Sequence, residues 1–264
     1  MANALTPILA YKREEVAALK AHTSLEALET QAAAQPAPRG FAEALSQTVA
    51  RGNNALICEL KRKSPSAGEI LPGADPVEIA REYEKGGATC LSILTDGPSF
   101  GGSLSDLEAI RAAVSLPLLR KDFIVDPIQI TQARAHGADA ILIIMAALSD
   151  EEAAKFEASA HRHGMDALIE VHNEEELERA LKLSSPLLGI NNRDLTRMVT
   201  DLTVTERLSA LIPTEKHLIS ESGVKTPADI KRLKKSNAHR FLIGESLMKQ
   251  AQRVDFVRAL STAK

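Results

Sequence analysis

The sequence predicts an α/β fold, a single (β/α)8 or TIM barrel with an N-terminal helical extension, and three observations predict it. From about Ala55 short apolar runs alternate with longer amphipathic segments through eight βα units. The connections between them are short, which implies a parallel sheet, and eight units of this size imply closure. The Gly-x-Gly-x-x-Gly turn that an open doubly wound sheet would carry after its first strand is missing.

The units run in order: ALICEL then PVEIAREYEKGG; TCLSIL then SDLEAIRAAV; LPLLRK then DPIQITQARAHG; ADAILIIM then SDEEAAKFEASAHRHG; MDALIEV then NEEELERALKL; SPLLGIN then DLTVTERLSALI; EKHLIS then TPADIKRLKKS; HRFLIG then ESLMKQAQRVDFVRAL. Glycines stand at helix ends just before strands (Gly86-Gly87, Gly137, Gly164), and Asp, Ser or Thr caps open several helices, Thr226-Pro227 among them. Residues 51–264 are read as the barrel. Residues 1–50 are read as a helical extension packed on it: a lead-in over ILAYKREEVAALKAHTSLEALETQAAA, the linker QPAPRG, and a helix over FAEALSQTV.

With 264 residues, 44% of them hydrophobic, the chain is long enough for one barrel and too short for a barrel plus a second domain. A net charge of -3 supplies no basic field, so a nucleic-acid partner is not expected. Tryptophan is absent and aromatics are 3%, so the core is expected to be aliphatic. Cys58 and Cys90 lie inside apolar runs without CxxC spacing and read as buried thiols of a reducing compartment, the cytoplasm. No secretory leader or membrane span is expected: the first residues lack a basic segment before an apolar run, and no window approaches about 18 consecutive apolar residues.

Alternate residues of a strand share a face, and in a barrel the inward set near the C-terminal ends lines the active site. Glu59 and Lys61 share that face at the end of the first strand, with Cys58 and Leu60 turned to the helices. Lys121 and Phe123 do so on the third strand, Glu170 and His172 on the fifth, Asn191 and Arg193 on the sixth. A charge at the end of an apolar strand is costly to bury alone, so these groups are expected to converge.

A phosphate site is expected after strands seven and eight. SESGV and LIGESL put glycines there, and the N–H groups of Gly223, Gly244 and Glu245, with the positive end of the last helix, suit an anion. In the loop KRKSPSAGEI, Ser64 and Ser66 join Lys61, Arg62 and Lys63, read as a mobile lid over the phosphate. No HExxH, G-x-S-x-G, Walker loop or histidine cluster appears, and neither metal nor cofactor is expected.

The runs ELKRKSPSAGEI, SILTDGPSFGGSLSDLEAIR, LPLLRKDFIVDPIQI, GMDALIEVHNEEEL, LLGINNRDL, ISESGV and FLIGESLM resemble the successive motifs of the indole-3-glycerol phosphate synthase family, over nearly the whole chain from about residue 40. The resemblance implies ring closure, decarboxylation and dehydration of 1-(2-carboxyphenylamino)-1-deoxyribulose 5-phosphate to indole-3-glycerol phosphate in tryptophan biosynthesis, a carboxy-lyase activity. It implies Lys121 as general acid, Glu170 as general base, Lys61 on the substrate carboxylate with Glu59 orienting it, and Asn191 with Arg193 positioning the anthranilate side and the hydroxyls. It adds Glu221 as a polar wall residue and sets Ser64, Ser222, Gly223, Gly244 and Glu245 on the phosphate. Phe123 with Ile141, Leu142 and Ile243 is expected to form the slot for the aromatic ring. A lysine acts as an acid most readily when its pKa falls from about 10.4 toward neutrality, an effect expected here from burial beside a second cation.

Three positions depart from the family pattern: Ser99 stands where an aromatic usually precedes Phe100, Met145 where some relatives carry lysine, and Glu245 where serine is frequent. The Glu245 carboxylate is therefore expected to point away from the phosphate. Two alternatives are kept. A phosphoribosylanthranilate isomerase type of barrel would use a Cys/Asp pair, for which Cys58 is out of phase. A non-catalytic barrel binding a phosphorylated metabolite would not need Lys121 and Glu170 together. A monomer is expected, with at most weak association with pathway enzymes.

Overall fold

In the computed structural model, residues 5–65, 68–194, 197 and 199–264 are described. Eight parallel strands close into a barrel: β1 (Ala55–Leu60), β2 (Cys90–Leu94), β3 (Leu118–Lys121), β4 (Ala140–Ile144), β5 (Asp166–Val171), β6 (Leu187–Asn191), β7 (His217–Glu221) and β8 (Arg240–Ile243). A hairpin of two-residue strands, Lys63–Ser64 and Gly68–Glu69, stands after β1.

Three helices precede the barrel, α1 (Leu5–His22), α2 (Leu25–Ala34) and α3 (Phe41–Ala50). Between strands lie α4 (Pro76–Gly86), the short α5 (Gly97–Phe100), α6 (Leu104–Ala113), α7 (Pro127–Ala135), α8 (Asp150–Arg162), α9 (Glu174–Ala180), α10 (Thr203–Ser209) and α11 (Pro227–Lys234). Local chemistry sets their starts. Asp126, Ser149 and Thr226 each accept from a backbone N–H of the first turn, reciprocated by Gln129, Glu152 and Asp229 as capping boxes.

Two stretches depart from the sequence reading. The lead-in is two helices, because Ser24 Oγ accepts from Ala27 N at 3.1 Å and starts a new one. The final helix is likewise broken, into α12 (Glu245–Met248) and α13 (Arg253–Ser261). Only a four-residue helix therefore follows the Gly244 turn, and its dipole is correspondingly slight.

Strand parity sorts the core into two layers. Ala55, Ile57, Cys90, Leu119, Ala140, Leu142, Leu168, Leu187, Ile219 and Leu242 fill the barrel interior. Leu56, Cys58, Leu60, Ile141, Ile143, Ile169, Leu188, Ile190 and Phe241 face the helices. The N-terminal end of the interior is plugged by Phe41 and Leu45 of α3, both 0% exposed. Burying a side chain of that size contributes about 2–3 kcal/mol.

Polar bonds hold the plug at its margin. Ala42 N donates to Asp166 Oδ2 at 2.9 Å and Arg39 N to Asp139 Oδ1 at 2.8 Å. With that end closed, the opposite end is left for the site. There the registers Glu59↔Ser92, Leu94↔Lys121, Ile144↔Glu170, Glu170↔Gly189 and Asn191↔Glu221 bring the polar strand ends to similar heights.

Candidate active site

The C-terminal strand ends surround a cavity of about 680 Å³, within the usual range for a small-molecule site. Glu59, Lys61, Lys121, Phe123, Glu170, Asn191, Arg193, Glu221, Ser222, Gly223, Ile243, Gly244 and Glu245 all line it. Ser64 is buried in the hairpin after β1 and does not line the cavity, whereas Pro65 does. Ser66 lies outside the described residues.

Charge in the cavity is arranged around Lys121. Its Nζ donates to Glu170 Oε2 at 3.2 Å and lies 3.7 Å from Glu221 Oε2. Burial by itself would lower the lysine pKa, but Glu170, Glu221 and Glu59 outweigh it and hold the ammonium above its ordinary value. The expected fall toward neutrality is thus reversed. The second cation, Lys61, is taken up by Glu59 Oε1 at 2.7 Å, and carboxylates, not ammoniums, dominate the surroundings of Lys121.

The two buried carboxyls next to Lys121 are unlike. Burial would raise Glu170, yet Lys121 and His172 keep it below the usual carboxylate range. Burial and the charge of Glu170 push Glu221 well above that range. Two adjacent carboxyls in a dry site resist ionising together, and of the two Glu221 is the one pushed toward its neutral form.

His172, read as sharing the face of Glu170, stands behind it: its Nε2 is 3.4 Å from Glu170 Oε1 and its Nδ1 2.9 Å from Glu176 Oε2. Burial opposes its charge, but the two carboxylates raise its pKa to about 10.

The remaining walls are built by close packing and by amides. A Cβ on Gly244 would lie 2.4 Å from Glu59 Oε1, so glycine leaves that carboxylate its place. Asn191 Oδ1 accepts from Arg193 N at 3.0 Å, turning the Arg193 side chain toward Thr200, whose Oγ1 accepts from Nε at 3.2 Å. The neighbouring Asn192 was not singled out in the sequence. Its Nδ2 donates to Ser220 Oγ and to the carbonyls of Glu221 and Ser222, each at 3.0 Å, and so ties the end of β6 to that of β7. The paired asparagines of GINNRDL were the available signal. After β7, Ser222 and Gly223 both take positive φ, 65° and 91°, and Ser222 N donates to the Leu242 carbonyl at 3.4 Å, tying the turn at the rim to β8.

The family model for indole-3-glycerol phosphate synthase matches residues 5–260. Curated proteins named indole-3-glycerol phosphate synthase are similar over nearly their whole length. The one from Hyphomonas neptunium is 62% identical over 250 residues, covering 95% of this chain and 94% of its own. Those from Rhodospirillum rubrum and Azospirillum brasilense are 54% and 50% identical, each covering 98% of this chain and 99% of its own. The chain belongs to the indole-3-glycerol phosphate synthase family.

For this member of the synthase family, several expected details need correction. Ile141 faces the helices and takes no part in the apolar slot. Ile144, two residues on in β4, lines the cavity with Leu142, because only alternate residues can. Ile243 packs with the helix-facing layer and also borders the cavity. Met145 is buried in the helix-facing layer, so Leu142 and Ile144 are the β4 residues at the site.

The Glu245 carboxylate is held by two cations. Glu245 lines the cavity with its carboxylate 3.6 Å from Arg193 Nη2 and 2.6 Å from Lys249 Nζ; Lys249 first, then Arg193, lower its pKa. Ser99, the departure in the loop after β2, has its Oγ 3.0 Å from the hydroxyl of Tyr11 on α1. Most of all, α1 itself reaches the site: Leu5 and Ile8 line the cavity, a contribution no strand-parity argument covers.

Proposed function

We propose that this synthase-family cavity closes, decarboxylates and dehydrates 1-(2-carboxyphenylamino)-1-deoxyribulose 5-phosphate, giving indole-3-glycerol phosphate, carbon dioxide and water, with the residues above in the following roles. The observation that carries the reading is Lys121: an ammonium at the polar end of a largely apolar cavity, 3.2 Å from the Glu170 carboxyl and 3.7 Å from that of Glu221.

The anthranilate ring occupies the slot of Phe123, Leu142, Ile144 and Ile243. Its carboxylate lies against Lys61, which Glu59 orients. As the ring carbon attacks the ketone, charge grows on the ketone oxygen and Lys121 donates its proton there. The raised pKa of Lys121 does not prevent this, since an alkoxide is a stronger base than an amine. Loss of carbon dioxide restores the aromatic ring. In the dehydration Glu170, held ionised, takes the proton, and Lys61 supplies one to the departing hydroxyl.

Asn191 and Arg193 position the anthranilate side and the hydroxyls, and the N–H groups around Ser222, Gly223, Gly244 and Glu245 hold the phosphate. Ser64 is assigned to that phosphate in the substrate-bound form, with the loop after β1 as its cover. We further assign the chain to the cytoplasm as a monomer, in keeping with its two buried free thiols. Among the described residues no helix is long and apolar enough to cross a membrane.

The test is a fluorescence assay for the indole product from this substrate, with EDTA present. Turnover is expected at the same rate with and without EDTA. Folded protein that binds the substrate without converting it would overturn the reading, and loss of the rate with EDTA would overturn its metal-free form.

A further inference from the structure

Lys12, on α1, is 2% exposed, although neighbouring Arg13, Glu14 and Glu15 make its stretch of helix strongly polar. Its Nζ lies 2.8 Å from Asp96 Oδ1, 3.0 Å from Asp122 Oδ1 and 2.8 Å from Glu15 Oε2. The two aspartates, 0% and 3% exposed, come from the loops after β2 and β3. Each is a hub. Asp96 accepts from the Tyr11 hydroxyl at 2.8 Å and from Ser99 N at 2.9 Å. Asp122 accepts from Phe123 N at 2.8 Å, Thr95 Oγ1 at 2.5 Å and Arg120 Nη2 at 3.0 Å.

A buried ion pair seldom adds stability over apolar side chains of the same size, so its presence asks for another reason. Two stand out. Asp122 follows Lys121 directly and carries the amide of Phe123. Leu5 and Ile8, two turns and one turn before Lys12 on the same face of α1, line the cavity.

We propose that Lys12 is a positioning residue for the reaction, pinning α1 over the mouth of the barrel and, through Asp122, holding the 121–123 segment where Lys121 and Phe123 meet the substrate. The inference rests on the roles assigned to Lys121 and Phe123 above. Asp122 and Asp96 raise the Lys12 pKa against the effect of burial, so the pin stays charged throughout the working range.

The experiment compares Lys12→Gln with the double variant Lys12→Met, Asp96→Asn, which removes one buried charge of each sign. A residue needed only to neutralise Asp96 would be rescued by the double variant in both melting temperature and activity. Positioning predicts otherwise: the melting temperature of the double variant recovers toward that of the parent, while kcat/KM stays about 10²-fold low, with kcat itself reduced. Recovery of kcat along with stability would overturn the proposal. So would a change in KM alone, since α1 would then be a cover and nothing more, and so would failure of both variants to fold, which would make Lys12 a residue of the fold. Lys121→Met is run in parallel. Turnover by that variant would sink the role of Lys121 and leave the Lys12 result to be read by itself.

Discussion

Gly189 on β6 and Glu221 on β7 occupy what would otherwise be the same space: a Cβ on Gly189 would sit 2.0 Å from Glu221 Oε1. Glu221 is 1% exposed, and its carboxyl reaches Lys121 only because the neighbouring strand offers no side chain there. Gly189→Ala is expected to displace the carboxyl and to cost about 1–3 kcal/mol as an overpacked core. Turnover should fall further than this loss of stability explains. Urea denaturation and steady-state kinetics on one preparation check it, and unchanged kcat would dissociate Glu221 from the chemistry.

Lys121→Met removes the proton donor and none of the groups assigned to the phosphate. It is expected to lower kcat by about 10²–10⁴-fold while substrate affinity, measured by equilibrium titration, stays close to that of the parent. Near-normal turnover would end the assignment.

Glu170→Gln should stall the reaction after closure. In a single turnover, carbon dioxide is expected to appear while the indole product lags by about 10²-fold. If no carbon dioxide is released, Glu170 is not the base of the dehydration.

His172 carries a pH prediction. Its folded pKa, about 10, lies above the ordinary 6.5, so its charge stabilises the fold fully below pH 6.5 and loses that effect as pH rises to about 10. The stability gap between the parent and His172→Asn should therefore be larger at pH 6.5 than at pH 10, each unit between being worth at most about 1.4 kcal/mol. Denaturant midpoints across that range read it directly. A gap that widened with pH would mean that His172 is neutral in the fold.

Glu245 sets a carboxylate beside the groups assigned to the phosphate. Glu245→Gln removes a competing charge and should tighten binding of inorganic phosphate by a few fold, about the worth of one partly exposed charge. Weaker binding would show that the carboxylate serves to orient Arg193.

Much of the site could be read from the strands because parity is a local property. Once ALICEL or LLGIN is a barrel strand, Glu59 faces inward and Cys58 outward whatever the rest of the chain does. Parity also shows why naming both Ile141 and Leu142 for the slot failed, as adjacent residues cannot share a face. The direction of the Lys121 shift was not local in this sense. It depends on three carboxylates from β1, β5 and β7 converging on one ammonium, and no spacing within a strand records which charges meet across a barrel.

The sequence by itself determined the eight-unit alternation, the inward set of polar strand ends and the glycine turns after β7 and β8, because periodicity, capping and backbone freedom act over a few residues. Tertiary structure alone decided the partners. Lys12 belongs to a charged run that reads as a solvated helix face until Asp96 and Asp122 close around it, and Leu5 and Ile8 are simply apolar residues until α1 crosses the mouth of the barrel. A buried charge is tolerable only where its counter-charges already are, and where they are is a property of the closed barrel.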